Sequence, residues 1–261
     1  MLETILQFTN QYGDRIGLVV EDLKTGEKIS QSPDKPFSSA SLIKYPIMWA
    51  FFKQVAEGEQ SLDTVHILKQ GDKAGTSPFD SSVLRELHTG IPLTLEDCIK
   101  FMIVISDDTA TNIIMHRLGM DYLNEAFASI GLKNTHVGRF MMDYGGLEAG
   151  RDNFVSAEDM NHLSKLICEN AILPAKYNQQ MLAILCNQRH NDSLRRFLPM
   201  SLKMGHKGGC IRQYSIDHDC GIMFDSHSKP RFLVNVCTKD IDRSKDVIGE
   251  IGKMVFQYLE L

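Results

Sequence analysis

The sequence predicts an α/β fold of the α+β kind. One antiparallel sheet is built from the two ends of the chain and covered by terminal helices, and an all-α lobe is inserted between them. Three observations predict this. β-forming stretches lie near the N-terminus and again after about residue 200, and helical patterns fill the interval between. The 261 residues suffice for one large domain or two lobes, burying roughly three-quarters of the unfolded surface. The expected lobes are 1–45 with 200–261, and 46–199, with a ligand site in the cleft between them.

The elements follow in order. Leu2, Ile5, Leu6 and Phe8 fall on or near one face of an opening amphipathic helix. Arg15 to Leu23 (RIGLVVEDL) is rich in β-formers, Lys24-Thr25-Gly26 is a turn, and Glu27 to Ser30 can return antiparallel. Ser41 to about Val55 is strongly apolar and helical; Pro46 removes one backbone donor and marks a tight or bent first turn. Thr94 with Asp97 resembles a capping pair opening a helix through Ile105. Ser106-Asp107-Asp108 is a polar break before a helix from Thr109 to Leu118, stopped by Gly119. Met120 to Ile130 is a further helix, stopped by Gly131, and Ser156 with Asp159 caps another through Ile167. Val137 to Asn153 is a charged, glycine-containing loop. Lys207-Gly208-Gly209 precedes a strand region in which Cys220 to Phe224 and Arg231 to Val236 read as strands, and Val247 to Tyr258 closes the chain as a helix.

Composition excludes several classes. Lys+Arg total 28 and Asp+Glu 33, a net charge of −5 that lacks the basic stripe of a nucleic-acid binder. The longest apolar run, Tyr45 to Phe52, is too short to span a bilayer and is bracketed by Lys44 and Lys53. The first residues lack the marks of a secretion signal, so a cytoplasmic protein with reduced thiols is expected. The six cysteines include no C-x-x-C, and Cys210 and Cys220 flank a possible hairpin where they could pair or lie close. His206, Cys210, His218, Cys220 and His227 match no common zinc spacing, so neither a metal nor another cofactor is expected.

S-x-x-K occurs three times, and context separates the copies. Ser32/Lys35 and Ser226/Lys229 sit in polar turns, whereas Ser41/Lys44 opens an apolar helix. There i and i+3 share a face, so Lys44 can reach the Ser41 hydroxyl, and the helix N-terminus favours developing negative charge. A buried lysine could then serve as base to the serine. A capping serine beside a snorkelling lysine would give the same local pattern.

The partners downstream favour the chemical reading. Ser41-x-x-Lys44, Ser106-Asp107-Asp108 and Lys207-Gly208-Gly209 resemble, in order and context, the S-x-x-K, S-D-N and K-T-G elements of the penicillin-recognising serine enzymes, above all the class A β-lactamases. Leu93 to Asn112 and Arg151 to Leu163 are similar to the corresponding helices, and the resemblance covers almost the whole chain. It implies a five-stranded antiparallel sheet. It also implies Ser41 as acylated nucleophile, Lys44 as its proton partner, Ser106 as relay to the leaving nitrogen, and Lys207 as positive charge near an anionic substrate group. The backbone N–H groups of Ser41 and Cys210 would form the oxyanion hole, such donors being typically worth about 2.7–4 kcal/mol. Asp107 is expected to be structural.

The departures bear on substrate. The family's second asparagine is Asp108, which only accepts hydrogen bonds and would favour a substrate amine or amide N–H. The family's threonine is Gly208, followed by Gly209, so a hydroxyl for the substrate carboxylate is gone. The region of the family's omega loop, Arg139 to Asp152, lacks its E-x-x-L-N pattern, leaving Glu148 and Asp143 as candidates for activating the deacylating water. The resulting expectation is a serine hydrolase for a lactam, amide or ester, with reduced or atypical penicillin turnover. A true β-lactamase with an unusual base, a non-turnover penicillin-binding protein and a catalytically idle relative are the alternatives; the oligomeric state stays open.

Overall fold

The computed structural model describes residues 2–75 and 82–259. Helix α1 (Glu3–Thr9) and a 3-10 turn lead into strand β1 (Ile16–Asp22), and β2 (Lys28–Gln31) returns antiparallel with Val19 opposite Ser30. A short β3 (Phe37–Ser38) precedes a 3-10 turn at Ala40–Ile43 and then α2 (Lys44–Glu57). The helical interval carries β4 (Val65–Ile67), β5 (Pro92–Thr94), α3 (Leu95–Val104), α4 (Asp108–Leu118), α5 (Met120–Ser129), α6 (Tyr144–Glu148), β6 (Phe154–Val155), α7 (Ala157–Cys168) and α8 (Ala175–Cys186). β7 (Met204–Ile211), β8 (Ile216–Phe224), β9 (Pro230–Lys239) and α9 (Ser244–Leu259) close the chain.

The main sheet is five-stranded and antiparallel, ordered β2-β1-β9-β8-β7, so the chain's two ends pair through β1 and β9. Both faces are covered. Leu2 just before α1, Ile5 of α1, Ile248 and Ile251 of α9, and Ile16, Leu18 and Val20 of β1 form one core. Cys220, Ile222, Leu233 and Cys237 line the opposite face with Trp49, Phe51, Ile99 and Met102 of the helical layer. β1 is buried on both faces, which accounts for its unbroken apolar run. Glu21 and Asp22 at its end are the exceptions: Glu21 takes bonds from Asn161 (2.6 Å) and Lys165 (2.5 Å), and Asp22 takes two from Arg231 (2.7 and 2.8 Å).

α2 is buried around nearly its whole circumference from Lys44 to Phe52, as an all-apolar helix must be. Pro46 falls in its first turn, where no backbone donor is needed, and the tightening expected there is the 3-10 turn carrying Ser41. The Thr94/Asp97 capping box forms as expected. Ser156 caps α7, but the Asp159 carboxylate turns instead to the N–H groups of Lys133 and Asn134 and the hydroxyl of Thr135.

One expectation is corrected and one open alternative is resolved. Lys207-Gly208-Gly209 lies inside β7 instead of before it, because pairing with β8 runs unbroken from Met204 to Ile211 and overrides the turn tendency of the two glycines. Cys210 and Cys220 do not lie close: Cys220 is opposite Lys207 and Cys210 opposite Asp217, which puts the two cysteines three pairs apart and on opposite faces. All six thiols are free.

Candidate active site

The site forms where β7, the edge strand, meets the 3-10 turn before α2 and the break between α3 and α4. Ser41 is half-buried in that turn, following Ala40 at a left-handed φ of 47°. A Cβ built on Gly209 would lie 2.7 Å from the backbone nitrogens of both Ser41 and Leu42. Only glycine permits this approach of strand to turn. It brings the neighbourhood of the Cys210 N–H beside the Ser41 N–H, the pair expected to cradle an oxyanion.

Lys44 is fully buried, and its ammonium reaches across to the polar break. It donates to the Ser106 carbonyl (2.5 Å), the Ser106 hydroxyl (3.2 Å) and Asp108 Oδ1 (2.6 Å). The expected contact with Ser41 is therefore replaced, among the described bonds, by contacts to Ser106 and Asp108. Ser106 holds a left-handed φ of 62°, a strained conformation for a non-glycine residue. Asp107 is structural, as expected: one carboxylate oxygen caps α4 at Ala110 N (2.8 Å) and the other takes the Leu84 N–H (2.9 Å). Burial pushes the Asp107 carboxyl above its ordinary range.

Lys207 approaches Ser106 from the other side, donating to its hydroxyl at 3.0 Å and to the Gly208 carbonyl at 2.5 Å. Burial, reinforced by the charge of Lys44, pulls the Lys207 ammonium down to about 7. The Ser106 hydroxyl thus lies between two lysines, forming a chain through which a proton can pass. Behind the strand, Asp219 is buried and accepts from His206 Nδ1 (3.0 Å) and Leu194 N (3.0 Å). A Cβ built on Gly208 would lie 3.1 Å from the His218 carbonyl and 3.6 Å from the Asp219 carboxylate, so the wall is close-packed where the family's threonine would stand.

The loop across the cleft is tied at its neck. Arg139 pairs with Asp152 (2.9 Å), the other Asp152 oxygen takes the Ser38 hydroxyl (2.5 Å), and Asn153 Oδ1 takes the N–H groups of Gly138 and Arg139. The amide of Asn112 clamps the backbone of Met141 from both sides, accepting at 2.8 Å and donating at 3.0 Å. Asp143 spends a carboxylate oxygen on Gly146 N, capping α6, and Glu148 is exposed at the other end of that helix.

Sequence reading missed Asn112 and His218. A poor helix former in mid-helix was the available signal for Asn112. His218 is buried; its Nε2 donates to the Ser38 carbonyl at 2.8 Å, pinning the segment that leads to Ser41, while Nδ1 lies 2.8 Å from the Asp217 carbonyl and 3.1 Å from Thr238 N. Burial lowers its ring below the usual histidine range. Among the described residues no group of three or more His, Cys, Asp or Glu is arranged to hold a metal, and no helix is long and apolar enough to cross a membrane.

Sheet, inserted helices and this convergence of serines and lysines define a serine hydrolase of class A β-lactamase type. The chain belongs to the Beta-lactamase enzyme family, whose sequence profile matches residues 2–259. The β-lactamase ROB-1 of Haemophilus influenzae is 23% identical, covering 99% of this chain and 84% of that protein. Among solved structures, a β-lactamase from Sphaerobacter thermophilus superposes with a TM-score of 0.87 at 25% identity, covering 100% of this chain and 98% of that one. PBP-A does so at 0.87 and 28% identity over 99% and 97%, and a mutant of PBP-A is similar to the same degree as an acyl-enzyme complex with penicillin G.

Proposed function

We propose that this protein hydrolyses a lactam, amide or ester through an acyl-enzyme on Ser41, and that penicillin acyl groups leave it slowly. Ser41 Oγ attacks the carbonyl; its proton passes to Lys44 in the neutral form and on to Ser106, whose own hydroxyl proton goes to the leaving nitrogen or oxygen, with Lys207 supplying positive charge beside it. The backbone N–H groups of Ser41 and Cys210 receive the developing oxyanion. The observation that carries the reading is the convergence of Lys44 at 3.2 Å and Lys207 at 3.0 Å on the one Ser106 hydroxyl, where β7 meets the turn that carries Ser41.

Slow release is supported by the loop. Asp143 is engaged in capping and Glu148 faces solvent, which suits neither to hold a water in the cleft. Asp108, the carboxylate nearest the chain, is engaged by Lys44. The likeness to PBP-A, of which a mutant is seen acylated by penicillin G, supports the same reading.

Intact mass spectrometry after mixing with a penicillin tests it. The expected result is a stoichiometric adduct that persists for many minutes in the wild type and is missing in Ser41→Ala. Rapid disappearance of the adduct with substrate turnover would restore an ordinary β-lactamase. A persistent adduct with penicillins and no turnover of any ester or amide would mark a binding protein instead.

A further inference from the structure

α3 runs out at Ile105 into Ser106, whose left-handed backbone stands where a helix end favours glycine. The last carbonyls of such a helix need partners outside it. Here the Asp107 N–H donates to Phe101 at 3.0 Å, the Gln188 amide donates to Ile103 at 2.8 Å, and the Arg189 N–H donates to Val104 at 2.9 Å. Two of those three donors come from one short segment just past α8. Gln188 is buried, and its Oε1 turns back to accept the N–H groups of Arg189 (2.8 Å) and His190 (3.0 Å). One side chain therefore fixes both its own loop and the end of α3. The same segment is seated on β7. A Cβ built on Gly205 would lie 3.1 Å from Leu185 Cβ and 3.3 Å from Cys186 Sγ, at the close of α8. Asn191 Oδ1 lies 3.2 Å from Nε2 of His206, the residue before Lys207. Residues 185–191 thus bridge the helix end that carries Ser106 and the strand that carries Lys207.

A strained serine backbone persists only where its surroundings over-determine it. On one side Lys44 holds the Ser106 carbonyl and Lys207 its hydroxyl; on the other, Gln188 holds the turn that precedes it. Resting on the acyl-enzyme reading of Ser41, we propose that Gln188 is a positioning residue for protonation of the leaving group. By pinning the last turn of α3 to the segment seated on β7, it keeps the Ser106 hydroxyl within reach of both lysines and of the leaving atom. In that step the carbonyl's bond to the leaving atom breaks and the Ser106 hydroxyl proton goes to that atom. Lys44 then returns to Ser106 the proton it took from Ser41. A lactam nitrogen needs this proton in order to leave, whereas a nitrophenolate departs as the anion without it. A displaced Ser106 is therefore felt by the lactam and scarcely by the ester.

The test uses the full chain and two acylating compounds, with Ser41→Ala as blank. Penicillin G is followed by intact mass and nitrophenyl acetate by nitrophenolate release. The final extent of penicillin labelling reports how much protein is folded, and the rate constant reports the site. Gln188→Met should slow penicillin acylation about tenfold or more and the nitrophenyl acetate reaction less than about threefold. Gln188→Glu keeps the acceptor and, once protonated, the donor, so its penicillin rate relative to wild type should recover as pH falls. In a Ser106→Ala background, Gln188→Met should slow penicillin by less than about a further twofold, as two residues acting through one group do. Equal slowing of both compounds, an unchanged penicillin rate, full additivity with Ser106→Ala or a Gln188→Glu rate that never recovers overturns the role of Gln188. If neither compound reacts at Ser41 in the wild type, the acyl-enzyme reading itself falls, and this inference with it.

Discussion

The cleft floor and the loop facing it use polar groups in opposite ways. On the floor, Lys44, Ser106 and Lys207 are buried and bonded chiefly to one another, with a left-handed serine backbone and a glycine pressed against a turn holding the arrangement. In the loop, Arg139, Asp143, Asp152 and Asn153 are bonded to the loop's own backbone or neck. The floor keeps reactive groups close at the expense of strain; the loop spends its charges on keeping its own shape. A family fold can therefore retain the groups suited to acylation while the opposite wall changes its task.

The sharpest way to break this contrast is at the strand-to-turn contact. Gly209→Ala places a methyl against backbone nitrogens that cannot rotate away. Acylation of Ser41 by nitrophenyl acetate should fall about 100-fold or more, since a shift of about 1 Å in a reacting group has that cost. An unchanged rate would show that the approach of β7 does not set the site. Arg139→Ala should act on the other wall, taking the guanidinium from the half-buried Asp152, which keeps only the Ser38 hydroxyl and the Asn153 N–H. Chemical denaturation should show a loss of about 2 kcal/mol while Ser41 labelling persists. Loss of labelling along with stability would mean floor and loop are one unit.

Asp108→Asn is a smaller change. It exchanges the carboxylate bound to Lys44 for an amide that can also donate to a penicillin side-chain carbonyl. Penicillin acylation should rise two- to tenfold, the worth of about one hydrogen bond; an unaltered rate contradicts that role. The smallest effect concerns Lys207. Its folded value near 7 lies below the ordinary 10.5, so the unfolded chain binds more protons between those values and stability rises with pH across that window. Lys207→Met removes the penalty, so its Tm relative to wild type should be several degrees more favourable at pH 6 than at pH 10. Parallel Tm curves would contradict the buried charge.

Much of the fold was legible because its signals are local. Thr94 and Asp97 announced α3, and Gly119 and Gly131 bounded α5 closely. Ser41, Lys44, Ser106 and Lys207 were legible as a set because three short motifs occur in order, although no spacing rule brings residues 41, 106 and 207 together. The strand around Lys207 was not legible, since Gly-Gly reads as a turn unless β8 is present to pair with it. Nor could the partner of Lys44 be read: helical geometry pointed to Ser41, three residues away, and tertiary contact with Asp108 prevailed. The pairing of Lys245 with Asp192 spans 53 positions and leaves no local trace.

The free thiols give the molecule a built-in record of its own opening. Cys98 is buried in α3, in the helical layer, whereas Cys220 and Cys237 are buried in β8 and β9; Cys210 is exposed. A thiol reagent would mark Cys210 first. The order in which Cys98 and the sheet pair followed would tell whether the helices or the sheet loosens first around the core they share, with no label engineered into the chain.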